Sequence, residues 1–106
     1  SAGGNLATSV CHIAKIKQEF NVSFQLLIYP WTNLNNNSPS FNTLAHGFYL
    51  ELETINWMSR LYTNNEDEKN YPYASPLLRE DFSNLPPAFV VIGTADPIHD
   101  DAVAYY

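Results

Sequence analysis

The residues best suited to chemistry stand together in Ser1-Ala2-Gly3-Gly4-Asn5, directly ahead of an apolar run that begins Leu6-Ala7. A serine among small residues at the mouth of a helix suits a nucleophile on a tight turn. Glycine adopts backbone angles closed to other residues, and small side chains let a substrate approach the main chain. A helix N-terminus adds unpaired N–H donors for a developing negative charge. The common nucleophile pattern is Gly-x-Ser-x-Gly, and Ser1-Ala2-Gly3 supplies its Ser-x-Gly part.

A second chemical group is Asp96, in the turn Thr94-Ala95-Asp96-Pro97 that follows the apolar run Ala88–Gly93. Asp before Pro also suits a helix start, with Asp96 as N-cap, Pro97 as first helical residue and Asp100 as a partner of the helix dipole. The three histidines, His12, His46 and His99, are isolated in sequence, and a lone histidine is ordinarily a surface or satisfied core residue. None is assigned as a catalytic base. Glu66-Asp67-Glu68 lacks the alternating spacing and glycine turn of a cation loop, so it reads as solvated surface and no metal is expected.

The elements that must position these groups follow from periodicity. Leu6, Val10, Ile13 and Ala14 recur at helical spacing to about Gln18, predicting a helix with that face buried, lysines in its last turns and a stop at Asn21. Ser23–Tyr29, closed by Pro30, reads as a strand buried on both faces. Residues 31–46 are rich in Asn and Ser and predict a long loop that buries little. Leu52, Ile55, Met58, Leu61 and Tyr62 form one face of a helix over Leu50–Tyr62, with Phe48, Tyr49 and Trp57 expected to pack. Residues 64–73 read as a solvated loop, Ala88–Gly93 as a second strand, and Ile98–Tyr106 as a third helix. Helix alternating with buried strand is the rhythm of an α/β fold with parallel strands. Ligands then collect beyond the carboxyl ends of the strands, where Asp96 sits and where Ser1 would share the same edge.

Composition narrows the partners. The chain has 106 residues, 45% of them apolar, which is enough for packed structure rather than a disordered tail. A formal charge of -6 disfavours nucleic acid and anionic membrane surfaces. No run approaches the roughly 18 to 20 apolar residues of a membrane span. The single cysteine, Cys11, rules out an internal disulfide framework and fits a reducing compartment, favouring the cytoplasm.

Several stretches together resemble the hormone-sensitive-lipase-like carboxylesterases of the α/β-hydrolase fold. Ser1-Ala2-Gly3-Gly4-Asn5-Leu6-Ala7 is similar to the second part of that family's Gly-Asp-Ser-Ala-Gly-Gly-Asn-Leu-Ala elbow. Gln25–Pro30, Trp57, Ala74-Ser75-Pro76-Leu77, Leu85-Pro86-Pro87-Ala88 and Asp96-Pro97-Ile98 follow in the family's order. The resemblance implies a serine ester hydrolase with a small-molecule ester substrate and no cofactor. In it Ser1 is the nucleophile, the Ala2 N–H one oxyanion donor and Asp96 the acid that orients a histidine. Trp31, Phe41 and Phe48 are candidates to line an acyl pocket. The family's His-Gly-Gly oxyanion loop and its histidine lie outside the residues matched here, and His99 falls where the family more often has arginine. Residues 1–106 are therefore expected to be part of a single catalytic domain, inactive alone. Two alternatives stand beside the esterase: a ligand-binding protein on the same scaffold without the histidine, and an N-terminal-nucleophile hydrolase using the Ser1 amine as base.

Overall fold

The computed structural model describes residues 1–106. Helix α1 runs over Ala2–Lys17, with Ser1 as its N-cap and Lys15 and Lys17 in its last turn. It begins earlier than the apolar periodicity predicts, so Ala2, Gly3 and Gly4 are helical. It ends earlier too: Gln18 takes the left-handed conformation, and its N–H closes on the Ala14 carbonyl at 2.9 Å, so Gln18 rather than Asn21 is the stop.

The buried face of α1 is Asn5, Thr8, Ser9, Cys11, His12 and Ala14, while Leu6, Val10 and Ile16 are exposed. This reverses much of the expected face. Several of the buried polar groups meet main-chain partners: Asn5 Nδ2 donates to the Trp31 and Ala74 carbonyls, both at 2.7 Å, and Ser9 Oγ donates to the Tyr73 carbonyl at 2.9 Å. Small, hydrogen-bonded residues let the helix lie close to the chain beneath it, which bulkier apolar ones would prevent.

Strands β1 (Gln25–Ile28) and β2 (Ala88–Val91) pair in parallel, Gln25 opposite Ala88 and Ile28 opposite Val91. Helix α1 packs against β1, and Gln25 and Leu27 are buried. Leu26, Ile28, Phe89 and Val91 alternate onto the other face and are exposed, so β1 is not covered on both sides by these residues.

After β1, Tyr29 has φ 35°, a left-handed conformation that is rare for an aromatic residue. The chain then passes directly under α1. A Cβ on Gly4 would lie 2.7 Å from both Cα and Cβ of Pro30, whereas one on Gly3 would meet nothing within 4 Å. Gly4→Ala is therefore expected to destabilise the protein by about 1 to 3 kcal/mol through forced backbone displacement. Gly3→Ala should leave the melting temperature unchanged or raise it, and thermal unfolding of both variants checks the contrast.

The segment from 31 to 46 buries far more than its composition predicts, including Thr32, Asn33, Leu34, Asn36, Ser38, Ser40 and Phe41, and it contains helix α2 (Pro39–Leu44). Its polar atoms have partners: Trp31 Nε1 donates to the Asn33 carbonyl and to Asn36 Oδ1, and Thr32 Oγ1 donates to the Asp101 carbonyl at 2.9 Å. Trp31, Leu34, Phe41, Ile55 and Ile98 form the apolar core, with Leu52 and Met58 against it. Helix α3 (Leu52–Tyr62) buries Ile55 and Ser59 but leaves Leu61 and Tyr62 exposed. Phe48, Tyr49 and Trp57 are also exposed rather than packed. Short 3-10 turns at Asp67–Asn70 and Pro76–Leu78 lead to β2, and helix α4 (His99–Tyr105) closes the chain with Ile98 as its N-cap. Asp96 instead stabilises the turn before α4, its Oδ1 accepting the Ile98 N–H at 3.0 Å.

Candidate active site

Ser1 is fixed through its backbone. Its nitrogen donates to the Ile28 carbonyl at 3.2 Å, and its carbonyl accepts the N–H groups of Asn5 at 3.1 Å and Trp31 at 3.2 Å. The last residue of β1 and the first turn of α1 thus hold it together. An N-cap serine ordinarily spends its hydroxyl on the helix, but Ser1 makes no side-chain cap bond and is exposed. The hydroxyl is free for other work. Ala2, as the first helical residue, has no earlier carbonyl within α1 to bond, so its N–H remains an orphan donor at the positive end of the helix dipole.

Asp96 lies five residues beyond the end of β2. Its turn is closed by the Ile98 N–H on Oδ1 and by the His99 N–H on its carbonyl, both at 3.0 Å. A Cβ on Gly93 would touch Asp96 Cβ at 3.4 Å and approach Oδ2 at 3.8 Å, so Gly93 leaves room beside the carboxylate. Because β1 and β2 run parallel, Ser1 and Asp96 both stand at the carboxyl edge of the pair.

An apolar groove of about 310 Å³ opens beside Ser1 and Ala2, lined by Leu6, Trp31, Leu34, Met58, Leu61 and Tyr62. Of the aromatics singled out in the sequence, Trp31 borders this groove. Phe41 is packed in the core and Phe48 is exposed; neither lines it. Met58, Leu61 and Tyr62 were legible only as a packing face, because a groove wall and a core face share the same helical spacing. A larger depression of about 600 Å³, bordered by Cys11, Ala14, Lys15, Gln18 and Asn84, lies toward the other end of α1 and includes neither Ser1 nor Asp96. Burial pushes the Cys11 thiol up, which keeps it protonated and unreactive.

No histidine of the chain hydrogen-bonds Ser1 or Asp96. His12 is buried in edge-to-face contact with Phe82 and Tyr105, and burial, with help from the Arg79 and Lys15 charges, lowers its pKa to about 4. His46 is exposed, 3.7 Å from Glu51, and His99 Nδ1 lies 2.9 Å from Asp100 Oδ1. Glu66 is paired with Lys69 at 2.7 Å and Glu68 accepts the Asn64 N–H at 2.8 Å, so these acids are engaged locally. No helix is long and apolar enough to cross a membrane.

A free serine hydroxyl at a helix mouth and an aspartate at the same edge of a parallel pair can be compared with known proteins. A family model described as the alpha/beta hydrolase fold matches residues 1–106. The chain belongs to this family. Its parallel strands separated by helices are those of an alpha/beta hydrolase, which removes the layered antiparallel sheet that an N-terminal-nucleophile hydrolase requires. Among curated alpha/beta hydrolase relatives, the chain is 35% identical to an ethyl acetate hydrolase of Pseudomonas putida, covering 99% of this chain and 33% of the relative. It is 33% identical to an arylesterase of Saccharolobus solfataricus, covering 99% and 34% respectively. The solved structure of a hyperthermophilic esterase from the archaeon Pyrobaculum calidifontis superposes with a TM-score of 0.93 at 36% identity, covering 99% of this chain and 35% of that one. The chain spans about a third of the length of the relatives it matches.

Proposed function

We propose that the full-length protein hydrolyses carboxylic esters through a Ser1 acyl-enzyme, with Asp96 as the acid of its catalytic triad. The observation that carries this reading is the unspent Ser1 hydroxyl, held by β1 at the mouth of α1 on the sheet edge that also bears Asp96. Ser1 Oγ attacks the ester carbonyl carbon and gives its proton to an imidazole supplied by residues outside this span. The carbonyl oxygen takes the negative charge, and the Ala2 N–H is one of its donors. Collapse of the tetrahedral intermediate expels the alcohol, which recovers the proton from the imidazolium. Water, deprotonated by the same imidazole, then attacks the acyl carbon; the C–Oγ bond breaks, Ser1 Oγ takes the proton back from the imidazolium, and the acid leaves. Asp96 fixes the imidazole tautomer and stabilises its charged form, which is the carboxylate's established use in such triads.

Relatives named ethyl acetate hydrolase and arylesterase support an ester of modest size, as does an apolar groove of about 310 Å³ beside the nucleophile. Every step moves protons and electron pairs among protein, substrate and water, so no cofactor is called for. Treatment of the full-length protein with a small alkyl fluorophosphonate is expected to add one phosphonyl group to the peptide bearing Ser1, read by mass spectrometry, and to abolish aryl-ester turnover. Labelling elsewhere with equal loss of activity would overturn Ser1 as nucleophile. Saturable ester binding with neither label nor turnover would make the protein a ligand-binding member of the same scaffold.

A further inference from the structure

Ser40 and Asp100, sixty residues apart, hydrogen-bond each other in both directions. The Ser40 N–H donates to Asp100 Oδ2 at 2.8 Å, and the Asp100 N–H donates to Ser40 Oγ at 3.0 Å. The other carboxylate oxygen of Asp100 lies 2.9 Å from His99 Nδ1. Ser40 is buried, at 6% exposure, so its hydroxyl depends on protein partners. That hydroxyl donates in turn to the Pro97 carbonyl at 2.8 Å.

The Pro97 carbonyl belongs to the peptide unit joining Pro97 to Ile98. The N–H of that unit is the Ile98 donor that Asp96 Oδ1 accepts at 3.0 Å. A peptide unit is planar and turns as one body. Ser40 therefore grips one side of the plate whose opposite side grips the Asp96 carboxylate. If the plate rotates, the Ile98 N–H leaves Oδ1 and the carboxylate loses its fixed orientation.

We propose that Ser40 is a positioning residue for Asp96, acting through the Pro97–Ile98 peptide and braced by Asp100. The proposal rests on the reading that Asp96 orients the catalytic imidazole. A carboxylate that can swing holds the imidazolium less well, which raises the barrier to the step that forms it and lowers the pKa of the base. It leaves the apolar groove untouched, so substrate binding should not change.

The test is steady-state kinetics of Ser40→Ala, Ser40→Thr and Asp96→Asn in the full-length protein with a short-chain aryl ester, normalised to phosphonate-titratable sites. Ser40→Ala is expected to lower kcat by about 10- to 100-fold with KM unchanged, the loss typical of a misplaced catalytic group. The acid limb of its kcat/KM profile should move to lower pH, and Ser40→Thr, which keeps the hydroxyl, should recover most of the rate. A merely structural serine would lower the titratable fraction and leave kcat per site and the pH midpoint alone; that outcome overturns the proposal. If Asp96→Asn is inactive while Ser40→Ala matches the unmodified protein, Ser40 positioning fails and the Asp96 reading stands. If Asp96→Asn keeps full activity, both fail. Should Ser40→Ala not fold, Asp100→Asn loosens the same bracing and is expected to lower kcat several-fold with the same pH displacement; an unchanged kcat and midpoint overturn the proposal.

Discussion

Ser1→Ala in the full-length protein is expected to lower kcat for a short-chain aryl ester by about a millionfold while leaving the melting temperature where it was. The two halves of this result come from one observation. A serine that capped α1 would cost about 1 kcal/mol when truncated, but the Ser1 hydroxyl makes no cap bond, so its loss removes no fold contact. The bonds that seat the residue run through its nitrogen and carbonyl, which alanine keeps. Dead but equally stable protein identifies a nucleophile. Activity within about tenfold of the unmodified protein would remove Ser1 from the mechanism, and a lowered melting temperature with activity intact would make it a cap.

Asp96→Asn should lower kcat by about ten-thousandfold with little change in fold. Asparagine keeps an oxygen to accept the Ile98 N–H, so the turn before α4 survives. The second position becomes an amide that can donate, and it then favours the wrong imidazole tautomer and carries no charge to balance the imidazolium. Kinetics on the variant, with circular dichroism to verify the fold, decide the matter. Loss of activity together with loss of structure would reduce Asp96 to a turn residue.

The roles proposed for Ser1 and Asp96 start from the sequence, because each stands in a short stretch whose small or turn-forming residues have a local reason to be there, and because those stretches follow a family's order; the structure adds that both stand at one edge of the parallel pair. The parallel α/β rhythm was legible for a similar reason, since strand runs and helical spacing are local. What the sequence misplaced depends on distant partners. Leu6 and Val10 read as the buried face of α1, yet the helix turns Asn5, Thr8 and Ser9 inward because the Trp31, Ala74 and Tyr73 carbonyls come from elsewhere to meet two of them. Residues 31–46 read as solvated because side-chain polarity was visible and its partners, Asp101 among them, were not. The apolar run of β1 reads as a strand buried on both faces, yet Leu26 and Ile28 are exposed, because an apolar side chain favours cover without supplying the residues that provide it. Ser40 carried no signal at all, being one serine in a polar stretch whose partner lies sixty positions away.

The seating of Ser1 also bears on where the entropy of catalysis is spent. With its nitrogen on Ile28 and its carbonyl shared by Asn5 and Trp31, the residue has its main chain immobilised from both sides. The freedom left to the Ser1 hydroxyl is the rotation of one bond, among three staggered wells whose selection costs roughly 0.7 kcal/mol. In the mechanism proposed above, nearly all the disorder that a flexible serine would have to surrender on meeting an ester is thus surrendered once, during folding, and not again at each turnover.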